Sequence, residues 1–209
     1  ATAEEGAIAA RLREHVIAIA SVPHNTDHPA ALEAAARYIE RQITALGYAV
    51  ERQEFAAAGQ TVRNIHTTIG RPGEGRATFV TGAHYDSAGI APGANDNGTG
   101  VAALIELARA LKGYEPRRHA LRLVFFVNEE MPHFGTETMG SVQFARMIVA
   151  KENIRGMISL ETIGAFSDQP GTQKFPVPLG LVYRDTADFI TFVGTLRARG
   201  LVHEALGSF

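Results

Sequence analysis

The sequence contains no cysteine. Disulfides, thiolate metal sites and cysteine nucleophiles are excluded together, so any metal must be held by nitrogen and oxygen. An excess of charge of one sign is missing as well: 20 Lys plus Arg stand against 22 Asp plus Glu in 209 residues. No basic field exists to draw in nucleic acid or an anionic membrane, and neither is an expected partner. No apolar run approaches the roughly 18 uncharged residues that read as a membrane-crossing helix, and no signal peptide is visible. The chain starts at Ala1 rather than Met, which raises the expectation that a leader has been removed and favours a secreted or periplasmic location. Nor is there an internal repeat, a low-complexity run or a linker. Length and composition therefore point to a single domain over 1–209, large enough to bury a substantial core, and nothing in them sets an oligomeric state.

What is present alternates between two periodicities. Thr2-Ala-Glu-Glu5 is a capping box, and Ile8, Leu12, Val16 and Ile19 follow at helical spacing until Pro23. After a loop with Asn25 and Asp27, Pro29 suits a first helical turn, and Leu32, Ala35, Ala36, Ile39, Ile43 and Leu46 form a stripe that stops at Gly47. Tyr48 to Phe55 and Thr61 to Ile69 read as strands joined through Ala58-Gly59-Gln60. Turn chemistry at Gly70–Gly75 leads to a third strand, Ala77 to Ala83, and these three are expected to form a mixed edge. A helix from about Thr99 to Lys112, a strand His119 to Asn128, a helix Gly140 to Ala150 and a strand Ile154 to Leu160 come next. A strand Leu179 to Tyr183 and a helix from about Asp188 to Arg199 complete the reading. Such alternation predicts a three-layer α/β sandwich with a mixed, largely parallel central sheet flanked by helices.

The chemistry gathers at the strand ends. Gly82-Ala-His-Tyr-Asp-Ser87 puts His84 where the third strand stops. Asp96 lies at the far end of a loop rich in Gly, Pro and Asn, immediately before a helix. The apolar strand Leu121 to Val127 terminates in Asn128-Glu129-Glu130, and Gly156-Met-Ile-Ser-Leu160 terminates in Glu161. Neighbours on an extended chain point in opposite directions, so one of Glu129 and Glu130 can bind a cation while the other faces a water beside it. In open α/β sheets ligands bind at the carboxyl rim of the strands, where side chains far apart in sequence converge. Imidazole and carboxylate together suit zinc, and Asp86 is placed to accept the proton of the other ring nitrogen of His84. Taken singly, Asp96 and Asn97 also read as loop residues capping a helix, and Glu161 as a surface acid. His15, His24, His28, His66 and His119 read as surface or packing residues; His133 follows Glu130 by three and His203 lies near the end, each a weaker candidate ligand. The loop Gly93 to Gly100 lacks the Gly-Lys-Ser/Thr ending of a phosphate loop.

At Gly82-Ala-His-Tyr-Asp-Ser87, Pro92-Gly-Ala-Asn-Asp-Asn-Gly-Thr-Gly100, Asn128-Glu-Glu130 and Met157-Ile-Ser-Leu-Glu161 the chain resembles the co-catalytic zinc aminopeptidases. Their members include bacterial leucyl-type aminopeptidases and aminopeptidase Y, with glutamate carboxypeptidase and glutaminyl cyclases as more distant relatives. The resemblance extends over nearly the whole chain. It implies that His84 and Glu161 bind one zinc, that Glu130 binds a second, that Asp96 bridges them, that Glu129 is the general base and that Asp86 orients His84. It implies a peptide substrate cut at its amino end; cyclisation of an N-terminal glutamine with one zinc, or a non-catalytic binding module, are the alternatives. The family continues with a Ser-Asp-His segment and a late His that completes the second zinc, and no such segments precede Phe209. A C-terminally incomplete exopeptidase domain is the expectation, with His203 as a substitute ligand, or one metal or none, as the other outcomes.

Overall fold

The structure is a computed structural model that describes residues 2–73 and 75–208. The expected turn at Gly70–Gly75 falls in part on residue 74, outside the described residues. By internal packing the chain resolves into two compact units, one ending at Thr162 and one starting at Ile163.

In the first unit, helix α1 (Ala3–Ile19) opens on the capping box: the Thr2 hydroxyl accepts from the Glu5 N–H, and the Glu5 carboxylate accepts from the Thr2 N–H. Helix α2 (Pro29–Ala45) starts on its proline and buries the full expected stripe from Leu32 to Leu46. Strands β1 (Glu51–Ala57), β2 (Gln60–Gly70), β3 (Ala77–His84), β4 (His119–Phe126) and β5 (Asn153–Ser159), with helices α3 (Thr99–Ala110) and α4 (Gly140–Ile148), follow the expected sequence of elements within a few residues at each end. The sheet order is β1-β2-β4-β3-β5. β1 and β2 form an antiparallel hairpin, β2 runs antiparallel to β4, and β3 is parallel to both β4 and β5. The mixed edge thus comprises β1 and β2 alone. β3 lies inside, because its crossover through α3 brings β4 alongside it, and β4 then crosses through α4 to β5 on the other flank. Parallel neighbours require such crossovers.

Alternation along β4 divides the core. Leu123 and Phe125 join α2 and α3, through Ile39, Ile43, Leu104 and Ile105, in one cluster, while Val124 and Phe126 meet Phe144 and Ile148 of α4 on the opposite face. Helices on both faces make the three-layer sandwich. A buried tie crosses the first helical layer: Glu106 of α3 binds Arg11 and Arg109 at 2.8 Å each, and His15 at 3.3 Å, whose other ring nitrogen meets the Tyr38 hydroxyl at 2.8 Å.

The second unit departs from expectation. Leu179–Leu181 is a single 3-10 turn rather than a strand, and the helical segment is Arg199–Ser208 (α5) behind a 3-10 turn at Leu196–Ala198, not Asp188–Arg199. Phe175 stacks on Phe189 and packs beside Tyr183, yet Thr186 is the one buried residue among those described there. Apolar periodicity without a surface to bury against stabilises neither a strand, which needs a bonded neighbour, nor a short helix.

Candidate metal centre

The three parallel strands end level. His84 pairs in register with Phe126, and Gly82 with Ser159, so the residues that follow β4 and β5 emerge beside His84. Two backbone bonds extend the sheet to the rim: Tyr85 N–H donates to the Phe126 carbonyl at 2.8 Å, and Leu160 N–H to the Gly82 carbonyl at 2.8 Å. Asp96 arrives from the other direction, in the irregular turn Ala94–Gly98 that runs into α3. Gly93 makes that turn possible. Its φ is +70°, and a Cβ there would lie 2.7 Å from the Asp96 carbonyl oxygen and 2.9 Å from Ser87 Cβ.

His84 is buried, and all the predicted side chains gather around it. Its Nε2 lies 3.1 Å from Asp96 Oδ1, 3.2 Å from Glu161 Oε1 and 3.8 Å from Glu129 Oε2. Candidate ligand atoms of His84, Asp96 and Glu130 all fall within 4.8 Å of one another. Glu161 reaches this group through His84. Asp86 stands on the opposite side of the ring: Nδ1 is 3.1 Å from the Asp86 carbonyl oxygen and 3.5 Å from its carboxylate. That carboxylate has a second task which the sequence did not announce. Oδ1 accepts from the Glu129 N–H at 2.9 Å and Oδ2 from the Glu130 N–H at 3.0 Å, so one buried acid fixes the turn that carries both glutamates. Asn128, before that turn, adopts a left-handed conformation, φ 60°.

A further strap was also invisible in the sequence. His24 N–H donates to Ser87 Oγ at 2.9 Å, Ser87 N–H returns a bond to the His24 carbonyl at 3.0 Å, and the Asn25 amide donates to the carbonyls of Ser87 and Gly89. His133 is a packing residue. Its ring nitrogens face the hydroxyls of Thr138 and Thr26 at 2.8 and 3.2 Å. His203 belongs to α5 in the second unit, and His15, His24 and His66 are buried packing residues.

The electrostatics call for a cation. Among the described residues, none of Asp86, Asp96, Glu129, Glu130 and Glu161 forms an ion pair with Lys or Arg. Burial opposes charge on His84, but the Asp86 and Glu161 carboxylates outweigh it and push its pKa up to about 11. With its ring protonated, His84 would place a positive charge beside these acids. Burial raises the carboxyl of Glu129, opposed by His84 and reinforced by Glu161, and burial followed by the nearby Asp96 raises that of Glu130. Asp86 moves the other way: burial works against its ionised form, yet His84 and the two backbone N–H groups hold it below the usual carboxylate range. A divalent ion taking the place of the His84 proton would relieve the same repulsion, and an all-nitrogen-and-oxygen donor set fits zinc. A separate surface groove of about 740 Å³, lined by residues such as Glu33, Arg37, Glu40, Arg52 and Arg63, shares no residue with this rim. Its charges largely satisfy one another.

Residues 64–189, which span the whole rim, match the model of Peptidase family M28. The chain belongs to that family. As an M28 member it is 35% identical over 184 residues to the Uncharacterized protein YfbL of Escherichia coli (strain K12), covering 84% of this chain and 55% of that protein. Aminopeptidase YwaD of Bacillus subtilis (strain 168) is 45% identical over 58 residues, 28% of this chain and 12% of that one. Among solved structures, a putative Zn-dependent exopeptidase from Bacteroides vulgatus superposes with a TM-score of 0.58 at 24% identity, covering 79% of this chain and 65% of that one. The glutaminyl cyclase of Macrostomum lignano superposes at 0.62 and 22%, covering 79% and 55%. These likenesses bear out the zinc exopeptidase fold expected from the motifs. The chain spans about half the length of YfbL, at 55%.

Proposed function

We propose that this chain carries the metal-binding part of a zinc-dependent exopeptidase that releases the amino-terminal residue of a peptide. The observation that carries the reading is the place of Glu129: its Oε2 lies 3.8 Å from His84 Nε2, set back from the 3.1 and 3.2 Å at which Asp96 and Glu161 meet the same nitrogen. A carboxylate beside a metal site but outside its ligand set is suited to proton transfer. Zinc, when bound, lowers the pKa of an attacking water and polarises the scissile carbonyl. Glu129 would take a proton from the attacking water on Oε2 and return it to the nitrogen of the leaving amine. Burial raises its carboxyl, which brings it nearer to the balance a base and acid requires. Acids unpaired with Lys or Arg attract the free ammonium of a peptide's first residue, which favours cutting at the amino end.

His84, Asp96 and Glu161 would hold one ion, with Asp96 and Glu130 contributing to a second, as the resemblance implies. The similarity to Aminopeptidase YwaD supports the aminopeptidase reading. The test is release of the first residue from a peptide or amino-acyl anilide by the purified chain and by a version extended at its C-terminus. Activity lost on chelation and in Glu129→Gln supports the reading. Full activity in metal-free protein refutes it, and ring closure of a glutaminyl peptide without hydrolysis replaces it with the cyclase alternative.

A further inference from the structure

Between α3 and the end of β5 lies a buried amide that the proposed chemistry does not use. Asn97 is 1% exposed, and its side chain makes four polar contacts. Nδ2 donates to the Leu160 carbonyl at 2.8 Å and to Glu161 Oε2 at 3.2 Å, while Oδ1 accepts from the Gly100 N–H at 3.1 Å and, at the longer distance of 3.4 Å, from the Thr162 N–H. Gly100 is shaped around this amide. A Cβ there would lie 2.4 Å from Asn97 Oδ1 and 2.5 Å from the Leu160 carbonyl oxygen, so any larger residue would displace the bridge.

We propose that Asn97 is a positioning residue that makes Glu161 a one-oxygen metal ligand. The Glu161 side chain is 44% exposed, and an exposed glutamate samples many rotamers, each of which must be given up when it binds an ion. The Asn97 amide restricts that freedom in advance. By occupying Oε2 it leaves Oε1 turned to His84, 3.2 Å from Nε2, and it disfavours the bidentate mode that would crowd the place a water needs. The same group caps the first turn of α3 through Gly100, so one side chain ties the element that brings Asp96 to the strand that brings Glu161. Partners that orient metal ligands in this way typically alter affinity by about 10–100-fold when removed.

This inference rests on the metal-site reading, and a double-mutant cycle of zinc affinity tests the two separately. Asn97→Asp keeps the oxygen that accepts from Gly100 but sets an oxygen, not a donor, against Leu160 and Glu161. Asn97→Ala removes both, and circular dichroism establishes which variants fold. In the otherwise unaltered chain each should weaken zinc binding about 10–100-fold. In a Glu161→Ala background, where His84, Asp96 and Glu130 still form a group, the same change should cost less than about twofold, because the residue it positions is gone. Equal losses in both backgrounds overturn the proposal and reduce Asn97 to a helix cap. An unaltered chain that binds no zinc overturns the metal site, and this inference falls with it.

Discussion

Asp86 offers the sharpest test of how the rim is built. Its side chain is 3% exposed, and the carboxylate serves the Glu129 N–H at 2.9 Å, the Glu130 N–H at 3.0 Å and the His84 ring at 3.5 Å. Hydrogen bonds to a charged group contribute about 1.5–3 kcal/mol each, and a buried donor left without a partner costs about 1–3 kcal/mol. Removal of the carboxylate also relieves the burden of a buried charge, so the contributions do not simply add. Asp86→Ala is expected to destabilise the metal-free chain by about 2–4 kcal/mol. Asp86→Asn keeps one acceptor and turns an NH2 toward the other donor, and should cost about 1–3 kcal/mol. The pH dependence gives the sign. The Asp86 pKa is depressed in the folded protein from 3.8, so its contribution is fully present above that value and is lost as the pH falls below it. Guanidinium unfolding at pH 7 and again in the acid range below pH 4 should therefore show the gap between unaltered and Asp86→Asn protein closing in acid. Zinc affinity, measured by competition with a chromophoric chelator, should fall about 10–100-fold in both variants. A stability change below about 0.5 kcal/mol with zinc binding intact would show that the Glu129–Glu130 turn holds itself.

The remaining tests address other levels of the structure. His84, with its pKa pushed up to about 11, contributes stability that is fully present below the unfolded value of about 6.5 and is lost as the pH rises toward 11. The metal-free chain should accordingly weaken on the alkaline side, by a few kcal/mol at most, and His84→Gln should flatten that slope in equilibrium unfolding. Glu106, held at about 2 by Arg11, Arg109 and His15 against the opposing effect of burial, joins α1 to α3. Glu106→Gln should cost about 1–3 kcal/mol at neutral pH, with the difference shrinking as the pH falls from 4.5 toward 2. In the core, Leu123→Ala empties space between β4 and the first helical layer and should cost about 2–5 kcal/mol by denaturant midpoint.

Much of this architecture could be read along the chain because local and global signals agree. Thr2 and Glu5 cap α1, Pro29 opens α2, and the apolar stripe of α2 is the face that is buried. The rim was legible for the same reason, since each strand that carries a metal-competent residue ends in a polar break after an apolar run. What escaped were contacts that only the folded chain creates. Asp86 and the backbone of Glu129 and Glu130 are 43 and 44 positions apart, and nothing local marks a carboxylate for two distant N–H groups. The position of β3 between β4 and β5 follows from crossovers rather than from composition. In the second unit the periodicity misled: Leu181 and Val182 are 85% and 79% exposed, and side chains that pack against nothing do not impose the strand their pattern suggests.

His84 and the surrounding acids are proposed to hold a divalent ion. Zinc titration of the metal-free chain by calorimetry in buffers of different ionisation enthalpy, with elemental analysis of the product, tests it most directly. At least one zinc should bind per chain, with release of about one proton per ion at pH 7 as the His84 imidazole gives up its hydrogen, and His84→Ala or Asp96→Ala should abolish it. A folded chain that takes up no zinc, or one that binds it equally well without His84 and Asp96, would contradict the claim.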